Sequence, residues 1–175
     1  NLSRAAGEAV GSYAITQGTL AANSNYTINV VSANLAIAPA TLTVTADAKT
    51  KVYGAVDPAF TYTVSGLQLS DTAAVLSGSL SRAAGEAVGS YAITQGTLAA
   101  ANYTISFTGA NLTITPATLT VKANHQTKAY GATDPALTYT ASGFQLGDTA
   151  TILTGALTRD AGEAVGSYAI TQGTL

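Results

Sequence analysis

Short runs in which apolar residues alternate with threonine or serine recur along the whole chain. Thr41-Leu42-Thr43-Val44-Thr45 and Phe60-Thr61-Tyr62-Thr63-Val64 have this period of two, with threonine on one face. So do Ser90-Tyr91-Ala92-Ile93-Thr94, Tyr103-Thr104-Ile105-Ser106-Phe107 and Leu112-Thr113-Ile114-Thr115. A period of two sends successive side chains to opposite faces of a strand, and β-branched and aromatic residues suit a half-buried pleated surface. Asp57-Pro58, Ser65-Gly66, Gly85-Glu86, Gly89-Ser90 and Gly109-Ala110-Asn111 punctuate the runs as turns. The one segment of helical character is Ser70–Leu76. It opens on Ser70 or Asp71 as an N-cap and stops at Gly78, enough for one or two turns.

The same pattern returns because the sequence itself returns. Leu2–Leu20 reads LSRAAGEAVGSYAITQGTL, and Leu80–Leu98 is identical; Leu157–Leu175 differs only at Thr158 and Asp160. Arg4, Arg82 and Arg159 mark a spacing of 78 and then 77 residues. Between these copies, Lys51–Gly78 aligns with Lys128–Gly155, and NYTINVVSANLAIAPATLTV aligns with NYTISFTGANLTITPATLTV. The extra residue of the first copy falls in Asn23-Ser24-Asn25, a loop that tolerates a length change. Pro39 and Pro116 stand between alternating runs, where a residue that cannot donate to a sheet suits a boundary. The chain therefore divides into the C-terminal part of one repeat (1–39), a complete repeat (40–116) and the N-terminal part of a third (117–175). Each repeat is expected to be a small, mainly β domain of about six strands plus one short helical turn. The short, proline-stiffened linkers predict domains arranged end to end.

Composition narrows the function classes. Only 9% of residues are charged and the formal net charge is -2, so a basic face for displacing phosphate counterions is excluded and no nucleic acid is expected as partner. With 47% hydrophobic residues there is ample apolar surface for a core. Thr, Ser, Gly or Asn interrupts every apolar stretch, so no membrane insertion by a helix is expected. Cysteine is absent, which removes disulfides, thiolate nucleophiles and thiolate zinc sites. The chain starts at Asn1 without Met or a signal segment, and its outer repeats are partial. It reads as a window on a longer chain, or as halves completed by a neighbouring copy.

Candidate chemistry is sparse. His125 is the single histidine, and its counterpart in the middle repeat is Ala48, so it reads as an exposed strand-end residue and no repeated Ser-His-Asp arrangement can form. The recurring acids are Asp57/Asp134, Asp71/Asp148 and Glu8/Glu86/Glu163. Asp57 reads as a turn residue and Asp71 as a helix cap, rather than as a glycosidase pair. No run of oxygen ligands resembles a calcium loop, and no metal or other cofactor is expected. Four Asn-x-Ser/Thr matches begin at Asn1, Asn25, Asn102 and Asn111, as chance allows in a threonine-rich chain. Lys51/Lys128, Asn34/Asn111 and Glu86/Glu163 recur and could in principle form a Lys-Asn isopeptide trio, but read as solvated surface and turn residues. The recurring tyrosines Tyr53/Tyr130, Tyr62/Tyr139, Tyr13/Tyr91/Tyr168 and Tyr26/Tyr103 read as core rings with hydroxyls at the rim. Nothing here points to an enzyme.

Tyr53-Gly54-x-x-Asp57-Pro58-x-x-Thr61-Tyr62-Thr63-x-Ser65-Gly66 recurs at Tyr130 to Gly143. It is joined by Gly-Asp-Thr at Gly147, Arg-x-x-Gly-Glu-x-Val-Gly-x-Tyr-x-Ile, Asn-Tyr-x-Ile and Ile-Thr-Pro-Ala. This ordered set covers the whole chain and resembles the MBG domain of YGX type, the name standing for mostly beta, glycine-rich. Ser70, where the third repeat has Gly147, is one departure. The resemblance implies tandem arrays in large secreted bacterial proteins such as haemagglutinin-like adhesins, with an extracellular or cell-surface location. It implies a stalk or spacer role in adhesion and biofilm, with neighbouring repeats as partners and no catalytic residues to carry over. The fold it implies is a β-grasp-like or immunoglobulin-like unit. The alternative is a multivalent binding module for host or matrix glycans or a protein, in which Tyr91, Gln95, Tyr168 and Gln172, with Gln17, line one weak site per repeat.

Overall fold

Threonine alternation does produce the strands, in a computed structural model that describes all 175 residues. In the first repeat β1 (Ser3–Arg4), β2 (Gly11–Thr16) and β3 (Ala33–Ile37) form an antiparallel sheet of order β1-β2-β3, with Tyr13 opposite Leu35. The middle repeat holds β4 (Ala40–Ala46), β5 (Lys49–Val52), β6 (Tyr62–Ser65), β7 (Leu76–Ser77), β8 (Ser81–Arg82), β9 (Gly89–Thr94), β10 (Ala99–Ala100), β11 (Tyr103–Thr108) and β12 (Ala110–Thr115). Six of these are four residues or longer; five of them follow the alternating runs and β5 does not, while the two-residue pieces carry no periodicity to detect. In the third repeat β13 (Thr120–Ala123) pairs antiparallel with β14 (Tyr139–Ser142), and β15 (Thr158–Arg159) with β16 (Ile170–Thr171).

Within the middle repeat one sheet has the order β11-β4-β6. The β4 strand runs parallel to β11, from Ala40 opposite Tyr103 to Thr45 opposite Thr108, and antiparallel to β6. A second sheet has the order β5-β12-β9-β8, and β7 pairs with β10. Leu42, Val44 and Ala46 project from one face of β4 into a core with Ile93, Tyr103 and Leu112, closed by Leu80 and Leu98 from the connections. Leu42, Val44 and Leu112 are fully buried, each worth about 1.5–3 kcal/mol of hydrophobic transfer. The same positions of the third repeat, Leu119, Val121, Ala123, Leu157, Ile170 and Leu175, line a cavity of about 480 Å³ instead.

By contact density the chain forms two compact units. The first comprises Asn1–Lys49, Pro58–Gly85 and Ser90–Thr113; the second comprises Thr50–Asp57, Glu86–Gly89 and Ile114–Leu175.

Two local readings are corrected. The helical segment is a single 3₁₀ turn, Ala73–Val75, and its cap is Thr72, whose hydroxyl accepts from the Ala74 N–H at 3.4 Å. Asp71 is not the cap, because its carboxylate accepts the Tyr103 hydroxyl at 2.6 Å. Lys51 is not a solvated surface residue: β5 carries it inward, leaving 4% of its side chain exposed.

Candidate functional site

Two constructions recur in the repeats. The first is an arginine clamp. Arg4 on β1, Arg82 on β8 and Arg159 on β15 each turn the guanidinium into the loop that follows. One nitrogen donates to two backbone carbonyls: Ala5 and Gly7 at 3.1 and 2.5 Å, Ala83 and Gly85 at 2.9 and 2.6 Å, Asp160 and Gly162 at 2.8 and 2.7 Å. The guanidinium also lies over a tyrosine ring, at 5.5 Å from Tyr13 and 5.4 Å from both Tyr91 and Tyr168. The hydroxyls of Tyr13 and Tyr168 donate to Ala9 and Ala164 carbonyls at 2.7 and 2.8 Å. Arginine suits this place because its planar fork satisfies carbonyls edge-on while its face stacks on the ring.

The second construction is an ion-pair cluster. Gly54 has φ +83°, and the Ala55 N–H closes a turn on the Val52 carbonyl at 3.0 Å. That reversal returns Asp57 to Lys51 at 2.7 Å; Glu86 completes the pair at 2.5 Å. In the third repeat Lys128 meets Asp134 and Glu163, both at 2.6 Å, and Arg159 reaches Asp134 at 2.8 Å and Glu163 at 2.5 Å. Arg4 pairs with Glu8 in the first repeat.

Opposite charges in contact favour the ionised forms of Asp134, Glu163, Lys51 and Lys128. Arg159 first and Lys128 second lower the Asp134 carboxyl to about 2. Lys128 and then Arg159 lower Glu163. Asp57 and then Glu86 raise Lys51, as Asp134 and Glu163 raise Lys128. A lysine held protonated is no nucleophile, and a carboxylate held ionised is a poor electrophile or proton donor. Of the isopeptide trio the structure brings Lys51 and Glu86 together, but the third group against the amine is Asp57, with Asn111 exposed on β12. Asp57 thus acts as an ion-pair partner as well as a turn residue.

The residues of the binding alternative are engaged in their own repeats. Gln95 donates to the Leu98 carbonyl at 2.8 Å and Gln172 to Leu175 at 2.6 Å, as Gln17 does to Leu20 at 2.7 Å. Tyr91 and Tyr168 are half-buried, each with an arginine on its ring face. Tyr168 lines a cavity of about 540 Å³ with Lys128, Tyr130, Asp134 and Arg159, whereas Gln172 lines the open core cavity. His125 is exposed just beyond β13, at the rim of the larger cavity. Tyr103 is buried, while Tyr26 is 75% exposed. Sequence reasoning did not single out the three arginines; their recurrence four residues before a glutamate in every copy was the available signal.

Three stretches of the chain, residues 1–36, 42–113 and 119–175, match the model of one protein family, the MBG domain (YGX type). No curated protein and no solved structure matches the chain.

Proposed function

We propose that this chain, which belongs to the MBG domain (YGX type) family, is a set of structural spacer repeats in the stalk of a bacterial extracellular adhesin or surface filament. The observation that supports this reading is the use of the recurring polar residues. Arginine, tyrosine, glutamine, lysine and acid in successive copies bond to one another or to their own loops, in nearly the same geometry each time. Polar groups whose hydrogen-bonding capacity is taken up within their own repeat have less of it left for a ligand, which favours a spacer. Repetition then serves reach, each repeat adding one more similar element to a quasi-one-dimensional array. In this role the chain carries out no reaction, needs no cofactor, and has neighbouring repeats as its standing partners.

The test is a screen of the intact chain against glycan and matrix-protein arrays. The spacer reading expects no saturable binding. Saturable binding that Tyr91→Ala and Tyr168→Ala together abolish would replace it with the multivalent binding module.

A further inference from the structure

The Tyr-Gly step occurs at Tyr53-Gly54 and at Tyr130-Gly131, and its two copies have different surroundings. The Tyr53 hydroxyl donates to the Asp148 carboxylate, in the following repeat, at 3.1 Å. A Cβ built on Gly54 would stand 2.5 Å from the Gln145 Cβ, so that backbone lies directly on the Gln145 side chain. Gly131 has nearly the same backbone, φ +79° against +83°, and nothing stands within 4 Å of its Cβ position. Tyr53 is half-buried; Tyr130 is 78% exposed.

The receiving loop shows the same contrast. Gln68–Asp71 and Gln145–Asp148 are built alike. Leu69 and Leu146 take left-handed backbone (φ 54° and 52°). Each glutamine side chain donates to the glycine carbonyl two residues back, at 3.1 and 3.2 Å, and each aspartate N–H closes the turn at 3.1 and 2.9 Å. Gln145, which lies against Gly54, is half-buried; Gln68 is exposed. In addition, Thr50–Asp57 clusters in the same compact unit as the third repeat, although it belongs to the middle one by sequence.

We propose that the Tyr-Gly step is a latch by which one repeat engages the Gln-x-x-Asp loop of the repeat that follows. The partner is defined by its chemistry: a glutamine side chain flat enough to receive a bare glycine backbone, and a carboxylate three residues on to accept a phenol. Glycine is required twice over, once for φ near +80° and once because any side chain would strike the glutamine. The aspartate also serves inside a repeat, where Asp71 accepts the Tyr103 hydroxyl at 2.6 Å, and two carboxylate oxygens have capacity for both donors. The latch stands whether the array is a spacer or a binding rod.

Amide hydrogen exchange on the intact chain tests it, because the exposed copy is a built-in control. Tyr53→Phe removes only the hydroxyl, and Gly54→Ala adds only the clashing methyl. Both should speed exchange at residues 145–148 about tenfold, with β4 amides unchanged. Tyr130→Phe and Gly131→Ala, with the same chemistry and the same backbone strain, should leave that loop alone. Asp148→Asn should mimic Tyr53→Phe, and the pair combined should add little to either. Equal effects from the two tyrosines and the two glycines, or full additivity of Tyr53→Phe with Asp148→Asn, would overturn the latch.

Discussion

The ring of Tyr91 occupies the space that a side chain on Gly85 would need, far inside van der Waals contact. Gly7 with Tyr13 and Gly162 with Tyr168 repeat the arrangement, each glycine at a φ of 137–144°. Gly85→Ala therefore combines backbone strain with overpacking against an arginine-clamped ring. It should lower the unfolding free energy by about 2–4 kcal/mol in a thermal or urea melt. Gly166→Ala, where nothing stands closer than 4.0 Å, should stay within about 0.5 kcal/mol. Similar losses at the two positions would remove the clamp from the account of stability.

Leu42 and Leu119 are the same residue of successive repeats in opposite circumstances. Leu42 is fully buried, whereas Leu119 is half-buried on the open core cavity. Leu42→Ala should cost about 2–5 kcal/mol, and Leu119→Ala less than about 1.5 kcal/mol. Chemical denaturation of the 175-residue chain measures both; a reversed order would contradict the difference in burial between the two leucines.

Asp134 and Glu163 have folded carboxyl pKa values below their unfolded ones, Asp134 at about 2. Their contribution to stability is therefore fully present above about pH 4–5 and disappears as pH falls through the folded values towards 2. Lys51, Lys128, Tyr53 and Tyr103 are raised, so their contribution holds below about pH 10 and is lost as pH climbs through their folded values. Carboxyl NMR titration should place Asp134 near 2, and Arg159→Gln should return it part of the way towards the ordinary aspartate value. A native Asp134 titrating near 4 would mean that the Arg159 fork is not held in solution.

Lys51 lies against two carboxylates, as an isopeptide-forming lysine would, but its amine is held protonated by them. The chain should retain its full sequence mass by intact mass spectrometry after prolonged storage near neutral pH. Loss of one water that Lys51→Arg prevents would show that an amide forms there after all.

Strands of the core were legible in the sequence because burial and alternation coincide: β4, β9, β11 and β12 each present apolar residues to one side. β5 was not, since Lys49-Thr50-Lys51-Val52 reads as polar surface until the acids that neutralise Lys51 are placed. The role of Asp71 escaped for a similar reason. Its partner Tyr103 lies 32 residues away, while the local Ser-Asp-Thr context is that of a cap. The candidate residues Tyr91, Gln95, Tyr168 and Gln172 were visible as recurring positions. Sequence recurrence alone does not distinguish a repeated binding site from a repeated turn; the hydrogen bonds add that each glutamine is engaged in its own turn.

Identity between repeats also bears on how the chain reaches its fold. β2 and β9 are both Gly-Ser-Tyr-Ala-Ile-Thr, and β3 and β12 share Ala-Asn-Leu-x-Ile. The Tyr13–Leu35 pair formed by β2 on β3 would therefore be matched in kind if β9 took β3 instead. Local side-chain chemistry cannot discriminate the two, and the main discriminator is the intervening chain: residues 17–32 in one case, residues 38–88 in the other. A roughly threefold longer loop costs about 1 kcal/mol in closure entropy, a preference of only about fivefold. Neighbouring copies thus compete for each other's strands. A nascent chain emerging one repeat at a time escapes the ambiguity that a denatured array faces all at once.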